Sequence, residues 1–208
     1  MAAAHPIANP AMTLQVVKYG HPVLRKKGAR IEKITAEIQA LAAAMLETMR
    51  ANKGVGLAAQ QVGQALQLTV LDLRGVTDRP STLKLDGKEA DIAAIMPLVL
   101  INPAVVPAGE PATAPEGCLS FPEIYGDIIR PCLAEVRATT DKGQAIEFSC
   151  GGFLARVIQH EYDHLHGILF IDRLSRDTKD ELKSKLEELQ AATKAGLKTE
   201  KDLNIKKP

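Results

Sequence analysis

The 208-residue chain has no tryptophan, and its few phenylalanines and tyrosines bring aromatic content to only 3%. That leaves little material for the ring-stacking surfaces that grip single-stranded nucleic acid. An excess of charge of one sign is missing too. The 26 Lys+Arg nearly cancel the 25 Asp+Glu, leaving +1, so no chain-wide basic field favours DNA. A small or peptidic partner fits better. No stretch approaches the ~20 unbroken apolar residues of a membrane-spanning helix, so no membrane is expected either. The opening MAAAHPIANPAM lacks both the basic region and the apolar core of about 7–15 residues that mark a secretory signal. Cysteine is scarce and odd in number, with Cys118, Cys132 and Cys150 widely spaced, unlike the even framework of small secreted domains. These absences point to a cytoplasmic chain in a reducing compartment, with a short disordered leader at 1–12.

With 46% hydrophobic residues, the rest is enough for one well-cored domain, expected over 13–193, followed by a flexible Lys-rich tail at 194–208. Thr35 can cap a helix whose stripe Ile38, Leu41, Met45, Met49 has helical spacing, and Gly54 can take the left-handed position at its end. LQLTVLDL (66–73) and PLVLINPAVV (97–106) read as strands. LAEVRATT (133–140) and QAIEFSC (144–150) read as a hairpin with Gly143 in its turn. The period then changes: Phe153, Val157, His160 and His164 share one helical face ended by Gly167. A last amphipathic helix over 177–193 turns Leu182, Leu186 and Leu189 inward. Residues 74–96 are long for a loop, which marks them as functional or mobile.

The helix in QHEYDHLHG carries the clearest chemistry. His160 and His164 lie one turn apart on one face and can share an ion, while Glu161 can act as general base toward a bound water. His166 is about 120° round the helix and is a bystander. The third ligand is less plain. Gly167 fits the metzincin pattern, but Phe170 stands where that pattern needs histidine. Glu181 or Glu188 would give a thermolysin-like set, although acids on such a helix are usually solvated. Cys118, in PEGCLSFP, sits between prolines in what reads as rigid irregular backbone and can be aimed at a site, although a lone cysteine is more often a small buried hydrophobe. A zinc endopeptidase, a cysteine hydrolase with Cys118 as nucleophile, and a structural metal module all remain open on these residues.

Taken together, GVGLAAQQVG (54–63), EGCLS (116–120) and QHEYDHLHG (159–167) resemble the three motifs of the peptide deformylase family, in the same order and at similar separations. The likeness runs from VVKYGHPVLRK to LFIDRLS, with 74–96 and the tails as departures. It implies an α+β fold in which antiparallel or mixed sheets surround a central helix bearing the H-E-x-x-H motif, plus a C-terminal helix. The implied reaction removes the formyl group from N-formyl-methionyl nascent peptides and releases formate. The resemblance assigns one Fe²⁺ per chain, replaceable by Zn²⁺ or Ni²⁺, to Cys118, His160 and His164. It makes Glu161 the base, and gives the side-chain amide of Gln61 and the backbone N–H of Leu119 to the formyl oxygen. Glu116 and Arg130 match a pair beside the cysteine; on residue type alone they read as surface charges.

The substrate wall is expected from Gly54, Val55, Gly56, Phe153 and Val157, with core packing the equal alternative for Val55, Phe153 and Val157. The two glycines would let backbone approach the substrate or adopt positive φ. The resemblance also suggests that the C-terminal helix docks on the ribosome; the alternative is a solvated helix with a frayed end.

Overall fold

The computed structural model describes residues 13–205, so the expected leader at 1–12 lies outside the described residues. Seven strands form one sheet: β1 (Gly56–Ala58), β2 (Leu68–Leu71), β3 (Ser81–Leu85), β4 (Lys88–Ala90), β5 (Leu98–Cys118), β6 (Phe121–Thr139) and β7 (Ala145–Gly152). Their order is β1-β2-β5-β6-β7-β3-β4, and every pairing between them is antiparallel. Three α-helices complete the α+β fold: α1 (Ala36–Ala51), α2 (Phe153–Leu165) and α3 (Arg176–Ile205).

Burial explains where each helix sits. Leu154 and Ile158 of α2 are almost fully buried against Leu71, Leu100, Val136 and Phe148 of the sheet. A side chain of that kind contributes about 1.5–3 kcal/mol when fully buried. Met45 and Met49 of α1 close a second cluster over Leu57, Leu68 and Val70. Leu182, Leu186 and Leu189 of α3 pack on a third, around Phe121, Ile124, Ile128 and Phe170.

Four expectations need correction. First, the left-handed residue after α1 is Lys53 (φ 56°), not Gly54; the Gly54 N–H reaches back to the Met49 carbonyl at 2.9 Å. Second, Cys118 is not in irregular backbone. It ends β5 and pairs with Phe121 across the Leu119–Ser120 turn of a long hairpin. Pro107, Pro111 and Pro115 fit this strand because β2 stops pairing with β5 at Ile101, leaving that edge without a strand partner among the described residues. Third, 74–96 is no simple loop: β3 and β4 form a hairpin through Asp86 and Gly87, both at positive φ, and β3 extends the sheet beyond β7. Fourth, α3 does not end at 193. It runs to Ile205, since Gly196 weakens a helix by only about 1 kcal/mol and no proline stops it.

Candidate metal centre and active site

The centre is assembled from three elements. Helix α2 supplies His160, Glu161 and His164, the end of β5 supplies Cys118, and the turn after β1 supplies Gln61. The Cys118 sulfur and one ring nitrogen each of His160 and His164 lie within 4.8 Å of one another, the one such cluster among the described residues. Cys118 Sγ is 3.3 Å from His164 Nε2. Glu181 and Glu188 are not in the cluster, and neither are Cys132 and Cys150. His166 caps α2, its Nδ1 2.9 Å from the Tyr162 carbonyl, and stays outside.

The donor set suits a divalent transition metal, since it offers one sulfur and two imidazoles, all mostly buried. Burial also holds the His164 pKa well below the ordinary histidine value, keeping the ring in the neutral form that ligates. His160 is oriented from behind. Its Nδ1 lies 2.9 Å from Glu116 Oε2, which turns the other ring nitrogen toward the cluster.

Glu116 is itself held by a charged network with almost no access to solvent. Arg130 donates to both its oxygens at 2.7 and 2.9 Å, and Arg156 donates to Oε1 at 2.8 Å. Burial pushes the Glu116 pKa up, but the bonds from His160 and Arg130 outweigh it and hold the carboxyl well below its ordinary value. Arg130 also binds Asp163 at 2.7 Å, and Arg173 binds that same carboxylate at 2.5 and 2.6 Å. Arg156, Asp163 and Arg173 were not anticipated. The available signal was spacing: Arg156 and Asp163 stand one helical turn before and after His160.

Glu161 differs from its neighbours. It is only 4% exposed, and its Oε2 has no hydrogen-bond partner. Desolvation raises its pKa to about 7. A carboxylate so placed is suited to accept and return a proton near neutrality. Gln61 accepts from the Ala58 N–H at 2.8 Å, and its amide NH₂ then points at Cys118 Sγ, 3.3 Å away. Leu119 follows the cysteine in the turn, where its carbonyl accepts from Lys18 Nζ at 2.8 Å.

A cavity of about 650 Å³ opens onto the centre, and its wall includes Gly54, Val55, Gly56, Phe153 and Val157. Of the two reasons expected for the glycines, positive φ is removed. Neither has positive φ. A Cβ on Gly56 would strike the Glu161 carboxylate, and one on Gly54 would lie 2.8 Å from Leu119 Cδ1. Both make room for side chains of this chain itself.

The profile of the family described as Polypeptide deformylase matches residues 13–180. A peptide deformylase of Opitutus terrae is 42% identical over 189 residues, covering 90% of this chain and 98% of the relative. One from Methylacidiphilum infernorum is 45% identical over 179 residues, covering 86% and 94%. Among solved structures, a peptide deformylase from Synechococcus elongatus in complex with actinonin superposes with a TM-score of 0.71 at 37% identity, covering 89% of this chain and 91% of that one.

Proposed function

The chain belongs to the polypeptide deformylase family, and we infer that it hydrolyses the N-terminal formamide of newly made formyl-methionyl proteins, releasing formate. The observation that carries this reading is a cysteine and two histidines converging beside a buried glutamate whose Oε2 has no partner, at the foot of an open cavity. The family is metal-dependent, and Cys118, His160 and His164 are the proposed ligands. An ion held there supplies the Lewis acidity that makes water nucleophilic near neutral pH.

The chain's own groups do the rest. The Glu161 carboxylate takes the proton from the attacking water and gives it to the departing amine. The Gln61 amide and the Leu119 N–H are the proposed donors to the formyl oxygen, where one well-placed donor contributes about 3 kcal/mol to the transition state. Val55, Phe153 and Val157 offer an apolar wall to the methionine side chain. Glu116, braced by Arg130 and Arg156, keeps His160 from rotating.

Ferrous iron is the proposed native ion, one per chain, with zinc or nickel able to replace it. One thiolate and two imidazoles suit these metals comparably, so metal analysis after anaerobic purification decides. The catalytic unit is proposed to be 13–193. A ribosome contact is proposed for the distal part of α3, where Lys194 and Lys198 are exposed; salt-sensitive co-sedimentation with ribosomes tests it. No helix among the described residues is long and apolar enough to cross a membrane, and a cytoplasmic location is proposed.

The test of the catalytic roles is Glu161→Gln. It should keep its metal and its affinity for formyl-Met-Ala-Ser while losing turnover by about 10²–10⁴-fold. Loss of metal in that variant would assign Glu161 to the ligand set instead.

A further inference from the structure

We propose that Arg79, together with Lys53 and Lys18, forms a cationic rim that binds an acidic side chain of the substrate just downstream of the formyl-methionine. This rests on the deformylase reading and adds a specificity to it.

Arg79 comes from the 74–96 segment, and its backbone surroundings are fixed. The next two residues cap the first turn of α2: Pro80 accepts from the Phe153 N–H at 3.0 Å, and Ser81 Oγ accepts from the Leu154 N–H at 3.1 Å. Ser81 also pairs with Gly152 as β3 joins β7. The Arg79 guanidinium then lies 4.0 Å from the centre of the Phe153 ring, a cation–π contact that holds the charge at the cavity wall. The segment therefore delivers a cation to the cavity that contains the metal centre.

The charges around that cavity do not cancel. Of the acids lining it, Glu116 is bound by Arg130 and Arg156, and Glu161 is the proposed base. That leaves Glu123 against Lys18, Lys53 and Arg79. Among the described residues neither Lys53 nor Arg79 has an ion-pair partner. Because Arg79 covers the Phe153 ring at the cavity wall, a peptide with its methionine against Phe153 brings a carboxylate one or two residues downstream near this uncompensated charge.

The test uses metal-loaded enzyme and three C-terminally amidated peptides, formyl-Met-Glu-Ser, formyl-Met-Ala-Ser and formyl-Met-Lys-Ser, so that no terminal carboxylate contributes. At low salt kcat/KM should fall in that order, by about three- to fivefold per step, as expected for one partly exposed charge pair. The difference should sit in KM and shrink in 0.5 M salt, where the screening length is about 4 Å. Arg79→Gln should flatten the order and Arg79→Lys should keep it. Titrating the same peptides into Glu161→Gln gives the ranking as affinities, free of turnover. No ranking in the wild type, or an unchanged ranking in Arg79→Gln, overturns the rim. Failure to hydrolyse even formyl-Met-Ala-Ser would instead overturn the deformylase reading.

Discussion

Replacing Gly56 by alanine should damage catalysis while leaving the metal in place. The added Cβ would sit 2.9 Å from Glu161 Cδ and 3.0 Å from Cγ, and closer still to Oε1, where ordinary contact begins at 3.4 Å. Glu161 is 4% exposed and on a packed helix, so it cannot swing into solvent to escape. Gly56 is tied in turn to Leu71 in the sheet. Relief requires the carboxylate to move by about 0.5–1 Å, a misplacement that costs on the order of 10–10² in rate when it falls on a group that must be aligned. Overpacking costs stability as well, about 1–3 kcal/mol. The assay is formate release from formyl-Met-Ala-Ser, with metal content and thermal unfolding measured on the same preparation. The expected outcome is a folded protein with metal, a modestly lowered Tm, and kcat down by at least tenfold. Wild-type turnover in Gly56→Ala would refute the reasoning, because Glu161 would then tolerate displacement that no proton-transferring group should.

Other outcomes follow from the surroundings of the centre. Arg130→Met leaves Glu116 and Asp163 with one arginine partner each, and should destabilise the fold by about 3 kcal/mol, the low end for breaking a buried ion pair; differential scanning calorimetry should show Tm lower by about 6–12 °C, and an unchanged Tm would mean that Arg156 and Arg173 suffice alone. Burial pushes the Cys150 thiol up to about 12, so mass mapping after iodoacetamide treatment of the folded protein at pH 8 should find Cys150 unmodified; rapid labelling would show that the cluster around it opens. Truncation after Thr193 should leave formyl-peptide hydrolysis intact, because Leu182, Leu186 and Leu189 stay in the third cluster; lost hydrolysis would place part of the site on distal α3.

What could be read in advance was whatever the chain writes locally. The stripe Phe153, Val157, His160, His164 has helical spacing and did form α2, and the 133–150 hairpin formed around Gly143 as β6 and β7. The length of β5 and β6 was hidden because Pro107, Pro111, Pro115 and Pro131 look like strand breakers until the edge they occupy is known. The β3–β4 hairpin has a local signal as well, Asp86-Gly87 between Leu83-Lys84-Leu85 and Lys88-Glu89-Ala90, with Leu83 paired to Ala90. The arginine network behind His160 was the least legible. A charged side chain is solvated by default, and only the tertiary meeting of Glu116, Arg130, Arg156 and Asp163 shows that these four are buried and satisfied, with the exposed Arg173 closing the network from the surface. Gly56 has a similar lesson, since its missing Cβ serves a residue more than a hundred positions away.

The central claim, that one ion held by Cys118, His160 and His164 drives formamide hydrolysis, is tested most directly by measuring metal stoichiometry and formate release together in anaerobically purified wild type and Cys118→Ala. The account predicts about one ion per chain and rapid formate release in the wild type, with both lost in the variant. Full metal and full turnover in Cys118→Ala would contradict it.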